Sequence, residues 1–140
     1  MGQEFILGDE TLWDPSNGAA RVFLHQLAYF EEELGLPSGF GPMVADECRV
    51  DPDVFAVFAD EVVSWHWRRH HTIIRAHTEG FVATLVALAR RAGVEVRWAQ
   101  DPCGVPHDSP DPYTRAAAEN DAWAHGIRAR AAELDRAMGA

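Results

Sequence analysis

The chain has 140 residues, 47% hydrophobic and 24% charged, which is the composition of one folded domain rather than of a disordered tract. Its formal net charge of −10 comes from 22 acids against 12 basic residues, all of them arginine, and argues against nucleic acid or an anionic membrane as the main partner. No apolar run reaches the roughly 18 residues of a spanning helix, and MGQEFIL has neither a basic n-region nor a long apolar core, so a cytoplasmic single domain over residues 1–140 is expected.

Residues 3–13, QEFILGDETLW, read as a short hairpin with Phe5 and Leu7 before a Gly8-Asp9 turn and Leu12 and Trp13 after it. A helix follows. Asp14 with Pro15 at the first helical position is a plausible N-cap and Ser16 is the alternative. Ala20, Phe23, Leu24, Leu27, Phe30 and Leu34 keep helical spacing, and Gly35 with Pro37 ends the run. Glu31, Glu32 and Glu33 near that end are expected to be solvated. Residues 36–50 read as a Gly/Pro-containing connector. Asp51-Pro52 then repeats the cap-plus-proline device, with Asp53 suited to the positive end of the helix dipole.

From Asp51 to Gly93 the pattern is helical throughout. Phe55, Ala59, Val62, Val63, Ile73, Phe81 and Leu88 share one side of the wheel, and His66, His70 and His77 fall among them. One unbroken helix of this length would run about 60 Å at 1.5 Å per residue, too long for a compact domain. A break between Arg68 and Gly80 is therefore expected. Val94-Glu95-Val96-Arg97-Trp98 alternates with period two and reads as a strand that could join the N-terminal hairpin. Residues 100–112 hold four prolines and form a loop. A last helix over about 113–138 has a narrow stripe of Trp123, Ile127, Leu134 and Met138 and is expected to pack peripherally. The fold class is thus α+β, mostly α: about four helices around one core with a two- or three-stranded sheet.

The imidazoles are the sharpest chemical feature. His66 and His70, four apart, project together from a helix, the pair spacing of zinc and iron sites. His77 lies about 10 Å further along an unbroken helix, too far to share an ion bound about 2 Å from its ligands. A third ligand would come from His25, Glu32, Glu47, Cys48, Cys103 or His107. The other reading is a small-molecule pocket walled by Trp65 and Trp67, with His77, His25, Glu47 and Cys48 as further binding residues and His66 or His70 as acid–base catalyst. Against both stands the plainer expectation of partly buried histidines bonded to neighbours. The metalloprotease pattern is excluded because HWRRH lacks its glutamate. Cys48, among Asp46, Glu47, Asp51 and Asp53, is a poor nucleophile, and these acids are expected to serve capping and surface charge. Both cysteines should be free thiols in a reducing compartment.

Charge is segregated along the chain. Residues 1–61 carry 13 acids and 2 arginines (net −11), residues 62–100 carry 2 acids and 6 arginines (net +4), and residues 101–140 carry 7 acids and 4 arginines (net −3). An acidic face that docks a basic protein, as an immunity-type protein blocks a toxin, is the alternative function. A homodimer seamed along the histidine stripe is a third. The segments LWDPSNGAARVFL, LGLPSGFGPMVADECRVDPDVF and EGFVATLVALARRAG resemble a family of small actinobacterial proteins of unknown function. That resemblance implies an intracellular bacterial protein and brings no site residue with it.

Overall fold

The computed structural model describes residues 2–69, 71–98 and 117–139, with only the backbone of 117–121 described. The elements are β1 (Glu4–Leu7), β2 (Glu10–Trp13), α1 (Asn17–Leu34), β3 (Phe40–Val44), β4 (Glu47–Val50), α2 (Pro52–Arg68), α3 (Thr72–Arg91) and α4 (Ala117–Met138). His70, Cys103 and His107 lie outside the described residues, as do the expected loop over 100–112 and the start of the last helix.

Two hairpins make one sheet in the order β2-β1-β4-β3. The sheet has four strands, not two or three, because the connector expected over 36–50 folds into β3 and β4. Its pattern is weak: Gly41 and Pro42 sit in β3, and the turn carries no Asn-Gly. Ala45 (φ 50°) and Asp46 (φ 65°) supply the two positive-φ positions of a two-residue turn instead. Pro42 is tolerated because β3 is an edge strand, irregular between Phe40 and Met43. β1 joins the hairpins by pairing with β4 in parallel, Phe5 beside Cys48. The strand expected at 94–98 is absent from the sheet.

Ser16, not Asp14, caps α1, its side chain accepting from the Ala19 N–H. Asp51 caps α2, accepting from Asp53 and Val54. The helical run breaks between α2 and α3 at extended residues Arg69 (ψ 126°) and His71 (ψ 114°), within the expected interval. Gly93, at φ 68°, ends α3 in a Schellman arrangement in which Val94 N–H reaches the Ala89 carbonyl.

The second half of α3 is the centre of the molecule. Phe81, Val82, Ala83, Leu85, Val86, Ala87, Leu88 and Ala89 are all buried, so it is covered on nearly every side. Phe23 and Phe30 of α1 bring their rings to 5.7 and 4.9 Å from Phe81, and Phe23 is 5.4 Å from Phe5 on the inner face of the sheet. Each such fully buried phenylalanine contributes ~2–3 kcal/mol of transfer free energy. α4 packs closely along α3 rather than peripherally, with Ala124, Ile127 and Ala131 buried. The two helices run in the same direction: Arg91 at the end of α3 donates to the Asp135 carboxylate, the Asp135 carbonyl and the Gly139 carbonyl at the end of α4, and to the Leu12 carbonyl of β2.

The first half of α3 is different. Ile73 is 62% exposed and His77 is exposed, so neither belongs to the core face that the helical wheel assigned them. The wheel assumed one continuous stripe, and the α2–α3 break resets its phase. No helix among the described residues is long and apolar enough to cross a membrane.

Candidate functional site

His66 occupies the last turn of α2 and is 2% exposed. Trp123 of α4 donates its indole N–H to Nδ1 at 2.9 Å and stacks on the imidazole at a centroid distance of 6.0 Å. An indole nitrogen can only donate, so Nδ1 carries the lone pair and the neutral ring holds its proton on Nε2. Nε2 faces the Arg75 carbonyl of α3 at 3.4 Å, a long hydrogen bond. One imidazole thereby bridges three helices with both nitrogens engaged. Adding a proton at Nδ1, or a metal there, removes the acceptor that Trp123 needs.

Among the described residues, the other candidates apart from Trp67 do not converge on it. Trp67 contacts Trp123 at a centroid distance of 5.1 Å, on the same side as His66. Trp65 turns into the core, edge-on to Phe30 at 4.9 Å, with the Arg69 guanidinium over its ring at 4.6 Å. Its indole N–H is buried without a hydrogen-bond partner among the described residues. His77 is exposed on α3. His25 is exposed on α1, where it lines a shallow groove of about 330 Å³ with Gln3, Asn17, Arg21 and Leu24. Glu47 is exposed on β4 and makes a loose ion pair with Arg49 at 3.8 Å. Glu32 is exposed on α1. Among the described residues, no three His, Cys, Asp or Glu side chains are grouped so as to hold a metal ion.

Cys48 is fully buried on the inner face of β4, its thiol donating to the Gly41 carbonyl at 3.2 Å. Burial pushes its pKa from 9.0 up to about 11. Loss of solvation, rather than the neighbouring acids expected from the sequence, is what makes it a poor nucleophile. Because the folded-state value is raised, the stabilisation linked to the protonated thiol is complete below pH 9 and is lost as pH rises towards 11. Folded protein treated with iodoacetamide at about pH 8 should therefore remain unmodified at Cys48 by peptide mass mapping, and alkylation at the rate of the urea-unfolded chain would contradict this.

The acids divide into two kinds. Glu31 is not simply solvated: its carboxylate accepts from the backbone N–H and hydroxyl of the buried Ser38, both at 3.1 Å, and so ties α1 to the start of β3. Others crowd the outer face of the sheet. The parallel register sets Glu4 directly beside Glu47, and the Glu4 N–H donates to the Asp46 carbonyl at 2.8 Å. Three acidic residues thus meet at one end of the sheet, next to Val44, which is 65% exposed. Sequence reasoning placed Asp46 and Glu47 in a loop and missed Glu4, since only the β1–β4 pairing brings it there.

The sequence model of a family described as having unknown function matches residues 1–140. No curated protein and no solved structure matches the chain.

Proposed function

The chain belongs to that family of unknown function (DUF6086) along its whole length, a membership that brings no activity with it, and we propose that the protein is a non-catalytic binder that docks a basic protein surface through its acidic sheet face. One observation carries this reading. Glu4 and Glu47 are register neighbours on an open sheet face, with Asp46 beside them. Like charges set side by side on a sheet weaken it, and Arg49, itself exposed and 3.8 Å from Glu47, offsets little of that repulsion. A basic partner surface would relieve it. The exposed Val44 supplies an apolar contact at the same place, and the net −11 of residues 1–61 would steer a cationic partner towards it. An actinobacterial, cytoplasmic setting belongs to the same proposal.

A small-molecule reading has one observation in its favour, a groove of about 400 Å³ walled by Trp98 rather than by the imidazoles. A metal or catalytic role for His66 would require displacing Trp123 from Nδ1.

The partner can be sought by capture on the immobilised chain, identified by mass spectrometry and then purified. Its affinity should fall steeply with salt. The variant Glu4→Gln/Asp46→Asn/Glu47→Gln should bind about tenfold more weakly or worse while its thermal midpoint stays or rises, since the repulsion is removed with the charges. An affinity indifferent to both salt and these substitutions would overturn the reading.

A further inference from the structure

Val94–Trp98 has the pattern of a strand and, among the described residues, no strand to pair with. Val94, Val96 and Trp98 are half-buried while Glu95 and Arg97 are exposed, so the period-two alternation survives in three dimensions. The segment is held to its own chain by Val94 N–H on the Ala89 carbonyl and by Arg97 N–H on Asp60 Oδ1, at 2.8 and 2.9 Å. Successive N–H groups of an extended chain point to opposite edges. With that of Arg97 turned towards α2, those of Val96 and Trp98 face the other way, and neither has a hydrogen bond among the described residues. A groove of about 400 Å³, lined by Val86, Arg90, Val94, Val96, Trp98 and Arg128, runs beside this segment.

We propose that a second copy of this chain supplies the missing strand, pairing Val94–Trp98 antiparallel about Val96. The five residues are self-complementary in that arrangement. Val96 faces Val96, so each N–H meets the other's carbonyl. Trp98 faces Val94, which lets the Trp98 N–H reach the Val94 carbonyl without using the Val94 N–H already engaged with Ala89. Glu95 faces Arg97 twice, giving two cross-strand ion pairs on the exposed side. In the isolated chain Arg97 is loosely matched with Asp60 at 3.9 Å and its side chain is 69% exposed, so it is free to turn. The second copy's Trp98 and Val94 would lie towards the groove. A two-fold axis closes such a contact, so it ends at a dimer. The two edges of the sheet are poorer sites: Pro42 and the irregular register blunt β3, and β2 is short with its Leu12 carbonyl already taken by Arg91. Five paired residues fall short of the ~800 Å² per partner of a typical stable interface, and the net charge of −10 on each copy opposes approach. The dimer is therefore concentration-dependent, forming between micromolar and millimolar protein.

Sedimentation equilibrium of the full chain over that range tests this. The wild type should shift from monomer to dimer. Glu95→Arg opposes arginine to arginine, Arg97→Glu opposes glutamate to glutamate, and each alone should weaken self-association by about tenfold or more. Mixed in equal amounts, the two variants should form a heterodimer visible by native mass spectrometry, because every pair across the axis is then opposite in charge. The double variant Glu95→Arg/Arg97→Glu should dimerise with itself. Circular dichroism melts confirm that each variant is folded. A wild type that stays monomeric at millimolar concentration, a dimer indifferent to both reversals, or single variants that fail to associate when mixed while remaining folded would overturn the proposal.

Discussion

Replacing Gly39 with alanine should cost about 3 kcal/mol or more of folding stability, read from the urea midpoint at unchanged slope. Two separate effects add there. The residue sits at φ 86°, where a Cβ is strained by about 1 kcal/mol. A Cβ would also stand 2.7 Å from the Asp51 carbonyl oxygen and 2.7 Å from the Phe55 nitrogen, both backbone atoms of the α2 N-terminus that cannot swing aside. Relieving that overlap should cost a further ~2 kcal/mol. The contact is tight because the Gly39 carbonyl accepts the Asp51 N–H at 2.7 Å, fastening β3 to the cap of α2. Next door, Ser38 is held by Glu31 and its hydroxyl accepts the Phe40 N–H. Three elements meet at these two residues. Gly93→Ala is the control. Its φ of 68° is similar, but a Cβ there meets nothing within 4 Å, so only the conformational cost of ~1 kcal/mol should appear. Equal losses at the two positions would mean that close approach to α2 is not the cause.

The second large effect belongs to His66 and Trp123. His66→Ala should destabilise by about 3 kcal/mol, since it opens a hole among α2, α3 and α4 and strips the Trp123 N–H and the Arg75 carbonyl of a partner. Trp123→Phe keeps an aromatic ring but leaves Nδ1 unsatisfied, at a cost of about 1–2 kcal/mol. His66→Leu leaves the indole N–H unsatisfied in the same way. Combining His66→Leu with Trp123→Phe removes both polar groups, so the double variant should lose roughly 1 kcal/mol less than the sum of the singles. Strict additivity would show that the bond contributes nothing specific.

Much of the fold can be read from the sequence where one physical signal dominates. The Gly8-Asp9 turn, Asp51-Pro52 and Gly35 mark boundaries through backbone preferences that hold in any context, and the helices around them follow. The β3–β4 hairpin is hidden because its turn uses Ala45 and Asp46 at positive φ, a choice that local rules disfavour and the two-residue connection between Val44 and Glu47 requires. The α2–α3 break has no glycine or proline to announce it at Arg69–His71, so the helical wheel ran through it and put Ile73 and His77 on the wrong face. His66 was recognisable as an imidazole in an apolar row. What the row could not show is that Trp123, 57 residues away, meets its Nδ1. The reverse holds for Val94–Trp98: its alternation is plain in the sequence, and only the structure shows that no strand among the described residues answers it.

If His66 is a strut, the proposed acidic sheet face of Glu4, Asp46 and Glu47 becomes the first place to look for function. The decisive observation is the ¹⁵N NMR signature of the His66 ring in the folded protein at neutral pH, recorded with and without added zinc. The contact with Trp123 predicts a neutral imidazole with its proton on Nε2 and a bare, hydrogen-bond-accepting Nδ1, unchanged by the metal. A proton on Nδ1, or ring signals that shift when zinc is added, would contradict it and return His66 to the list of ligands.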